Sequence, residues 1–477
     1  MVPNPFRQAL LLVGTGLARL GLIDREHVER ATELSWPRIV TGIARMSKAA
    51  ADVAMVGLAV GPAAIAGVGF ASPFWGLAFA LGGGIAGGTI SMVSQRFGAE
   101  AWEELALAVK AGAFVAFAIT LPLTVGYFLF SEFLIELIGS GEAATGYGAE
   151  YLRIVGFGVP FAALNLIGSR TLVGADDAWT AMVLRAGGAV INVAVNGVLI
   201  FGLDMGVVGA AIGTVASNVV VTAAFGIGLA AGRLPGIGAF PVRVPLSGPH
   251  LDLGLVGDLL RIGTPLVGTN LARTGAQFPQ IYLVGLFGPK VVAAYVVALR
   301  VRGLMGTPGW GFSLASSSLV GQALGEADES AADAWAKDVI RFSVAVYLLV
   351  AGAVAVFAEQ VGRLFVEDPS ILGLVVTFIY VACLSITFKG VDGGATGPLR
   401  ASGDTRWPLY SQLVGMYVVA LPAAYLGTVV PAIGIYGVFA MMILQTSVPA
   451  AITYYRYRTG VWKAISREYR PDSASVD

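Results

Sequence analysis

The 477-residue sequence is poor in charge: Asp, Glu, Lys and Arg together make up 13% of the chain, and 56% of the residues are hydrophobic. Soluble domains carry about 25% charged residues, so this composition argues against a soluble protein. Thirty basic residues balance thirty acidic ones. No basic patch with interleaved aromatic residues is present, and we therefore expect no nucleic-acid partner.

Cysteine and histidine are almost missing as well. The one cysteine, Cys383, cannot form an internal disulfide, and its apolar surroundings predict a buried thiol. The two histidines, His27 and His250, are too far apart for metal-ligand spacing. The glycine runs at 81–88 and 390–397 lack the Gly-Lys-Ser/Thr of a phosphate loop. These absences predict that the protein is not an enzyme and has no resident cofactor.

Apolar stretches of about twenty residues or more recur along the whole chain and predict membrane-spanning helices. Strand-like alternation is absent, so we expect an all-α polytopic membrane protein. The pattern predicts twelve spans, at about 37–60, 63–93, 105–130, 147–173, 179–203, 206–232, 256–287, 290–320, 336–360, 370–398, 407–428 and 431–455.

Basic residues in the short loops predict the orientation, because cytoplasmic loops are enriched in Lys and Arg. One side carries most of them: Arg96, Lys110, Arg170, Arg185, Arg233, Arg243, Lys337, Arg341, Arg400 and Arg406. The basic carboxyl terminus joins the same side, so we predict that both termini are cytoplasmic. A polar helix capped by Asp24 is expected within the partly interfacial segment 1–34.

The two halves of the sequence resemble each other at a nearly constant offset. "MVSQRFGAE" at 92–100 matches "LVGQALGEA" at 319–327, and "TLVGADDAW" at 171–179 lies against "PLRASGDTR" at 398–406. An even number of spans in each half predicts parallel repeats, which enclose a central cavity in transporters. The predicted parts are an amino-terminal segment 1–34, a first six-helix lobe 35–232, a cytoplasmic linker 233–255, a second six-helix lobe 256–458 and a cytoplasmic tail 459–477.

Asp52 is the first candidate functional residue, because it lies near the middle of an apolar run. A carboxylate inside a membrane span is costly and marks a functional site by default. It could bind and release a proton, or it could help to hold Na⁺. In the repeat it falls opposite Gln280, so the second half does not share it. The alternative is a structural acid tied to Lys48 or to neighbouring hydroxyls.

Further polar residues lie in the same half. Asn192 and Asn196 are four apart on one face of the fifth span, Thr214 lies in the sixth and Asn165 in the fourth. Their oxygens could hydrogen-bond a protonated acid or complete a cation shell. Hydrogen bonding between helices is the alternative for each of them.

The second half has its own polar residues within the spans. Arg273, Gln277 and Gln280 share the seventh span, and Lys389 and Asp392 lie one turn apart in the tenth. We interpret Lys389 and Asp392 as a neutralising pair, with a role in the substrate cavity as the alternative. The eighth span adds two more basic residues, Arg300 and Arg302.

The sequence resembles the multidrug and toxic compound extrusion (MATE) family, and in particular its DinF-like prokaryotic branch. The resemblance covers about 37–458 and rests on "DVAMVGLAVGPAAIAGVGFASP", "GGTISMVSQRFGAE", "SSSLVGQALGEADESAA" and "GPLRASGDTRWP", together with the paired asparagines of the fifth span. Each motif is weak alone, and their order and spacing are specific.

The resemblance implies a twelve-helix antiporter that exports organic cations and other amphipathic compounds, driven by H⁺ or Na⁺. It implies a cation-coupling site at Asp52, Asn192, Asn196 and Thr214, of which Asp52, Asn192 and Thr214 would hold the metal if the ion is Na⁺. Asn196 departs from the family, which has an aspartate there. Asn165, Arg273, Gln277, Gln280, Lys389 and Asp392 are the substrate-cavity candidates.

The resemblance also implies a monomer in the plasma membrane of a prokaryote, surrounded by lipid, with no cofactor other than the coupling ion. A wider superfamily with this fold includes flippases of lipid-linked saccharides. Export of an anionic amphiphile is therefore the alternative function. The charge of the cavity distinguishes the two, because an acidic aromatic cavity favours cations and an arginine-lined one favours anions.

Overall fold

The architecture was obtained as a computed structural model, which describes residues 4–138, 141–248, 251–366 and 369–470. His250 and the end of the carboxyl-terminal tail lie outside the described residues. The helices are α1 (Pro5–Arg19), α2 (Arg25–Ala59), α3 (Pro62–Gly98), α4 (Trp102–Glu136), α5 (Glu142–Val155), α6 (Val159–Gly174), α7 (Ala178–Gly197), α8 (Gly206–Ala231), α9 (Leu253–Gly285), α10 (Pro289–Met305), α11 (Thr307–Gly325), α12 (Glu329–Val356), α13 (Ala358–Arg363), α14 (Pro369–Ala401), α15 (Arg406–Leu413), α16 (Leu421–Val429), α17 (Tyr436–Arg458) and α18 (Val461–Arg467).

Several of these helices join into longer rods. A 3₁₀ turn at Gly156–Gly158 connects α5 to α6, and π-helical turns at Val198–Gly202 and Val414–Ala420 extend α7 and connect α15 to α16. The connection after α8 contains a short antiparallel pair, β1 (Arg233–Leu234) and β2 (Gly238–Ala239). Helices α10 and α11 are separated by Gly306 alone and form one apolar segment, Pro289–Gly325. With the short helices α1, α13 and α18 left aside, the rods are the twelve segments that the apolar pattern predicted, so the all-α membrane fold is confirmed.

Ten helical segments of the described chain are long and apolar enough to cross a membrane. The other two rods are α2 and α9, which match the predicted first and seventh spans. Charged side chains interrupt α2 at Arg45, Lys48 and Asp52 and lower its hydropathy. These two helices therefore carry polar groups that lipid would not stabilise, and such groups face protein or a water-filled cavity.

The helices group into two compact units. One contains residues 40–267, and the other contains residues 1–39 and 268–477. The boundaries of the units fall within α2 and α9; the unit 40–267 otherwise contains α3 to α8, and the other unit contains α1 and α10 to α18. The sequence interpretation treated residues 1–34 as a separate segment, and the structure places them with the second half of the chain.

The amino-terminal segment is tied to α12. Gly14 of α1 lies against Val28 of α2 and the ring of Phe342. His27 Nδ1 lies 2.7 Å from Asp338 Oδ2. The polar helix predicted to begin after Asp24 does begin there, but it does not end before the first span, because Arg25–Ala59 is one continuous helix.

Small residues let the helices approach one another inside each unit. Gly84 of the first glycine run lies against the backbone of Val267, and Gly394 of the second lies against the backbone of Ile340. A side chain at either position would meet backbone atoms at less than ordinary contact distance. Large apolar side chains point outward instead, and on α4 they form one stripe: Phe114, Phe117, Leu121, Val125 and Phe128.

Candidate functional site

Asp52 lies on α2 with both carboxylate oxygens occupied. Asn196 donates a hydrogen bond from Nδ2 to Oδ1 at 2.7 Å, and Lys48 donates from Nζ to Oδ2 at 3.0 Å. Lys48 lies one helical turn before Asp52, a spacing at which side chains on a helix meet. Only 6% of Asp52 is exposed. The carboxylate therefore ties α2 to α7 from a buried position.

The other predicted coupling residues surround this carboxylate. Asn196 Nδ2 also donates a hydrogen bond to Asn192 Oδ1 at 3.4 Å. Asn192 Nδ2 in turn donates to Thr214 Oγ1 at 3.3 Å. Lys48 also reaches Thr214 Oγ1, at 3.3 Å. Asn192 and Asn196 are fully buried and Thr214 nearly so. The structure thus brings Asp52, Asn192, Asn196 and Thr214 together into one hydrogen-bonded cluster, which we call the Asp52 cluster and which includes Lys48.

Three members of the surroundings were missed or undervalued in the sequence. Lys48 was considered only as a packing partner, although its spacing of four from Asp52 was visible. Tyr151 of α5 lies near enough to Asp52 for the two side chains to interact electrostatically. Gly213 lies directly against Asn196 Oδ1. Nothing in the local sequence around the last two positions indicates that they meet Asp52.

One polar atom of the cluster has no partner. Asn196 Oδ1 is buried and accepts no hydrogen bond within the described part of the chain. Buried polar atoms are normally satisfied, so an unsatisfied one marks a site where chemistry or a change of state is expected. The amide nitrogen faces Asp52 here, which suits an ionised carboxylate. A protonated Asp52 would instead donate to an amide oxygen turned toward it.

Asn165 does not join the cluster. It donates from Nδ2 to Asn218 Oδ1 at 2.9 Å and accepts from Thr222 Oγ1 at 2.8 Å, which ties α6 to α8. Asn218 in turn donates to the Thr214 carbonyl oxygen at 2.8 Å. Asn165 therefore reaches the cluster only through Asn218, and it lies on the wall of the neighbouring cavity.

A cavity of about 680 Å³, counting its open mouth, lies within the unit 40–267. Three basic side chains line it: Arg45, Lys48 and Arg185. Trp75 and Phe79 supply aromatic walls, and the Arg45 guanidinium lies 5.3 Å from the Phe79 ring centre. The lining is completed by Thr41, Ala162, Asn165, Gly188, Ala189, Ser217, Asn218 and Val221, so the described lining contains no acidic residue.

In the other unit, Asp392 pairs with Arg273 rather than with Lys389. Arg273 Nη2 lies 3.4 Å from Asp392 Oδ2, and the hydroxyls of Thr396 and Thr453 donate to Oδ1 at 3.4 Å and 3.3 Å. Arg273 reaches across from α9, whereas Lys389 shares α14 with the acid. The interpretation of Lys389 and Asp392 as a neutralising pair is therefore replaced by an ion pair between helices.

Basic groups outnumber acids around this pair. Lys389 is half-buried, where Arg273 and Arg302 repel it and Asp392 attracts it. Arg400 is likewise acted on by Arg273 and Asp392. We call Arg273, Arg302, Lys389, Arg400 and Asp392 the Asp392 cluster.

The remaining candidates of this unit are separate from that cluster. Gln280 is buried, donates to Gln445 Oε1 at 3.3 Å and accepts from the Tyr295 hydroxyl at 3.2 Å. Gln277 and Arg300 are exposed. Gln280 thus serves as a link between helices, and the acid that Asp52 supplies in the first unit has no counterpart at this position.

The Asp52 cluster offers oxygen atoms that Na⁺ could use, from Asp52, Asn192 and Thr214. The Lys48 ammonium already lies among them, 3.0 Å from Asp52 Oδ2 and 3.3 Å from Thr214 Oγ1. A second cation at these oxygens would be repelled at close range. No group of three or more His, Cys, Asp and Glu side chains is placed to hold a metal in the described ranges.

Comparison with known proteins gives consistent results. The family model MatE matches residues 37–198 and 265–426. A probable multidrug resistance protein NorM of Bradyrhizobium diazoefficiens is 26% identical over 93% of this chain and 95% of its own. An uncharacterized transporter YisQ of Bacillus subtilis is 24% identical over 90% of this chain and 94% of its own.

Solved structures show the same fold. A MATE crystal structure in the bent conformation superposes with a TM-score of 0.84 at 22% identity, covering 98% of this chain and 99% of that one. A MOP superfamily transporter from Pyrococcus furiosus, for which reverse polarity of the binding pocket suggests a different function, gives 0.82 at 23% identity, covering 92% and 96%.

Proposed function

The chain belongs to the MatE family of membrane transporters, which are not enzymes, and on that premise we propose that it exports amphipathic compounds in exchange for protons that bind at Asp52. The names of its relatives, which include multidrug resistance proteins, support export of foreign compounds. The contact that carries the proposal is the sharing of buried Asp52 between Lys48 and Asn196.

A proton is the coupling ion that suits this cluster better than Na⁺. Sodium needs several oxygen ligands and a net negative site, and Lys48 supplies the balancing positive charge instead. A proton needs one carboxylate oxygen and a way to release the partners of that oxygen. Asp52 meets both needs, because its ion pair with Lys48 exists only while the carboxylate is ionised.

Protonation of Asp52 would loosen α2. The ionised carboxylate holds α2 against α7 through Asn196 and recruits Lys48 toward Thr214 of α8. Once neutral, Asp52 loses the ion pair, and the Asn196 amide must turn to accept its proton. The contacts that tie α2 to its neighbours are thereby exchanged for weaker ones.

The same helix carries part of the cavity wall, which links proton to substrate. Thr41, Arg45, Lys48 and Asp52 are spaced four, three and four apart and share one face of α2. Three of them line the cavity. While Asp52 is ionised, its contacts hold α2 in place and the cavity wall is complete. When Asp52 is protonated, these contacts are lost and the α2 part of the wall can move. Proton and substrate therefore favour different states, which is the condition for exchange.

The cycle follows from this competition. Facing outward, Asp52 takes up a proton from the more acidic side, the wall loosens and the compound leaves. Facing the cytoplasm, Asp52 loses its proton, α2 is tied again and a new compound binds. We propose this cycle for a monomer in the cell membrane with both termini in the cytoplasm. Two classes of compound fit this cycle: organic cations, which the resemblance implies, and organic anions.

The test is transport of amphipathic dyes in proteoliposomes under an imposed pH gradient or an imposed Na⁺ gradient. Asp52→Asn keeps the shape of the side chain and should abolish gradient-driven transport. Asp404→Asn is the matched control, since Asp404 is also 6% exposed and bonds Arg456 at 2.6 Å outside the site. A wild-type rate in Asp52→Asn would refute the coupling role, and transport driven only by Na⁺ would refute the choice of ion.

A further inference from the structure

We infer that the cavity of residues 40–267 binds amphipathic organic anions, with the acidic head held by Arg45 and Arg185 and the apolar body packed on Trp75 and Phe79. This inference names the substrate class of the proposed exporter and, for transport, rests on that function. It follows the alternative of an anionic amphiphile rather than that of an organic cation.

The first argument is the arrangement of like charges. Half-buried Arg185 and exposed Arg45 line the same cavity, close enough for the two positive charges to repel each other. An anion that bridges two such guanidinium groups would relieve this repulsion. Lys48, the third basic group, is paired with Asp52, which lies behind the cavity lining. The cavity is therefore positive where an organic cation would have to bind.

The second argument is an unused donor. Arg185 Nη1 is buried and has no hydrogen-bond acceptor among the residues that the structure describes. A guanidinium presents donors in a planar fork that matches the two oxygens of a carboxylate, sulfonate or phosphate. An anionic head in the cavity would satisfy this donor, whereas a cation would leave it unsatisfied.

The third argument is the lining of the space. Trp75 and Phe79 offer flat apolar surface, and Asn165 and Asn218 add amide groups at the wall. Such a lining suits a compound with one charged end and one aromatic or aliphatic end.

The other unit independently shows the same sign of charge. Within the Asp392 cluster, Arg273, Lys389 and Arg400 interact with the single acid Asp392, and Arg302 acts on Lys389. Arg302 Nη1 and Arg400 Nε have no hydrogen-bond partner in the described chain. The cavity lining and the Asp392 cluster therefore each carry more positive than negative charge, and a substrate of negative charge is compatible with each.

The charge of the substrate determines how strongly the membrane potential affects transport. Exchange of one organic cation for one proton moves no net charge, whereas an anion leaving as a proton enters moves two charges in the same sense. Each charge moved makes the distribution ratio change about tenfold for every 60 mV. Sensitivity to potential thus reports the charge of the substrate without reference to any particular mutation.

The experiment uses two dyes with one body: 1-pyrenesulfonate, an anion, and (1-pyrenylmethyl)trimethylammonium, a cation. Binding to the full chain in detergent is followed by energy transfer from tryptophan to pyrene. Transport is followed in proteoliposomes with the potential set by K⁺ and valinomycin. A fluorescent phosphatidylglycerol serves as a third probe, because a lipid headgroup and a free compound share the same acidic chemistry.

We expect the anion to bind more tightly than the cation and Arg185→Gln to weaken anion binding about tenfold or more. Arg185→Lys keeps the charge but not the planar fork and should weaken anion binding less than Arg185→Gln does. Arg153→Gln is the matched control, since Arg153 also lies over an aromatic ring, 4.8 Å from the centre of Phe128, but outside the cavity. If Arg185→Gln fails to fold, Arg185→Lys and the potential dependence decide.

The outcomes separate this inference from the proposed function. Preference for the cation, or equal binding of both dyes, overturns the inference, while gradient-driven transport that depends on Asp52 still upholds proton exchange. Anion binding that depends on Arg185 without any driven transport upholds the inference and overturns the exporter. Movement of the labelled lipid alone upholds the anionic chemistry and identifies a lipid as its source. Binding of none of the three probes overturns the inference.

Discussion

Lys48→Met should remove the ion pair that positions α2 while leaving the Asp52 side chain in the protein. Removing one partner of a buried pair costs about 3–5 kcal/mol, and an exposed pair is worth about 0–1 kcal/mol. The Lys48 side chain is 22% exposed and that of Asp52 is 9% exposed. We therefore expect ionised Asp52 to lose about 2 kcal/mol of stabilisation, between those limits.

The pH profile of transport should show this loss. Because the ionised carboxylate is destabilised, a proton binds more readily, and the pH of half-maximal transport should rise by about 1.5 units at 1.4 kcal/mol per unit. The assay is the initial rate of dye transport in proteoliposomes across a series of pH values. Lys290→Met is the control, because Lys290 is an exposed lysine that bonds the Ser370 hydroxyl away from Asp52.

A double-variant cycle gives the sharpest refutation. If Lys48 acts through Asp52, adding Asp52→Asn to Lys48→Met should remove most of the destabilisation seen in the single variant, because no buried charge remains unpaired. Thermal unfolding in detergent measures this as a recovery of Tm. Strictly additive Tm shifts, together with an unshifted pH profile in Lys48→Met, would show that the two side chains do not act as a pair.

Two further predictions concern other residues. Asn196→Asp places a second acid 2.7 Å from the Asp52 carboxylate; the added negative charge should allow Na⁺ to stimulate transport, and a Na⁺-gradient assay that shows no stimulation would contradict this. Arg273→Gln should lower the stability of the protein by about 1–2 kcal/mol, since it leaves buried Asp392 unpaired while Arg273 itself is about a third exposed. Arg363→Gln, at an exposed pair, should change Tm little.

The pattern of apolar residues predicted most of the fold. The spans and their number follow from length and hydropathy, because a membrane leaves few alternatives to apolar helices of about twenty residues. The polar helix after Asp24 was expected to be separate, yet it continues to Ala59. Pro37 lies at the junction of the two parts, and the helix continues through it. The change from polar to apolar sequence at this proline was therefore mistaken for an end.

The polar residues of the candidate site could be predicted from the sequence, but the residues that pack around them could not. Asp52 and Asn196 are unusual in apolar spans, and their cost in a membrane indicates that they meet. Lys48 could have been assigned by its spacing. Tyr151 could not, because contacts between distant helices depend on rotations that hydropathy leaves open. For the same reason the partner of Asp392 was wrongly assigned to its own helix.

Gly213 contributes no chemical group, and yet it limits what the Asp52 cluster can contain. A Cβ atom on residue 213 would collide with Asn196 Oδ1. Gly213→Ala should therefore displace Asn196 and impair driven transport, as loss of the amide itself would. It follows that positions 196 and 213 are not free to vary separately. Among relatives with this cluster, a larger residue at 213 should be accompanied by a smaller one at 196, and covariation of the two would reveal a volume that they share.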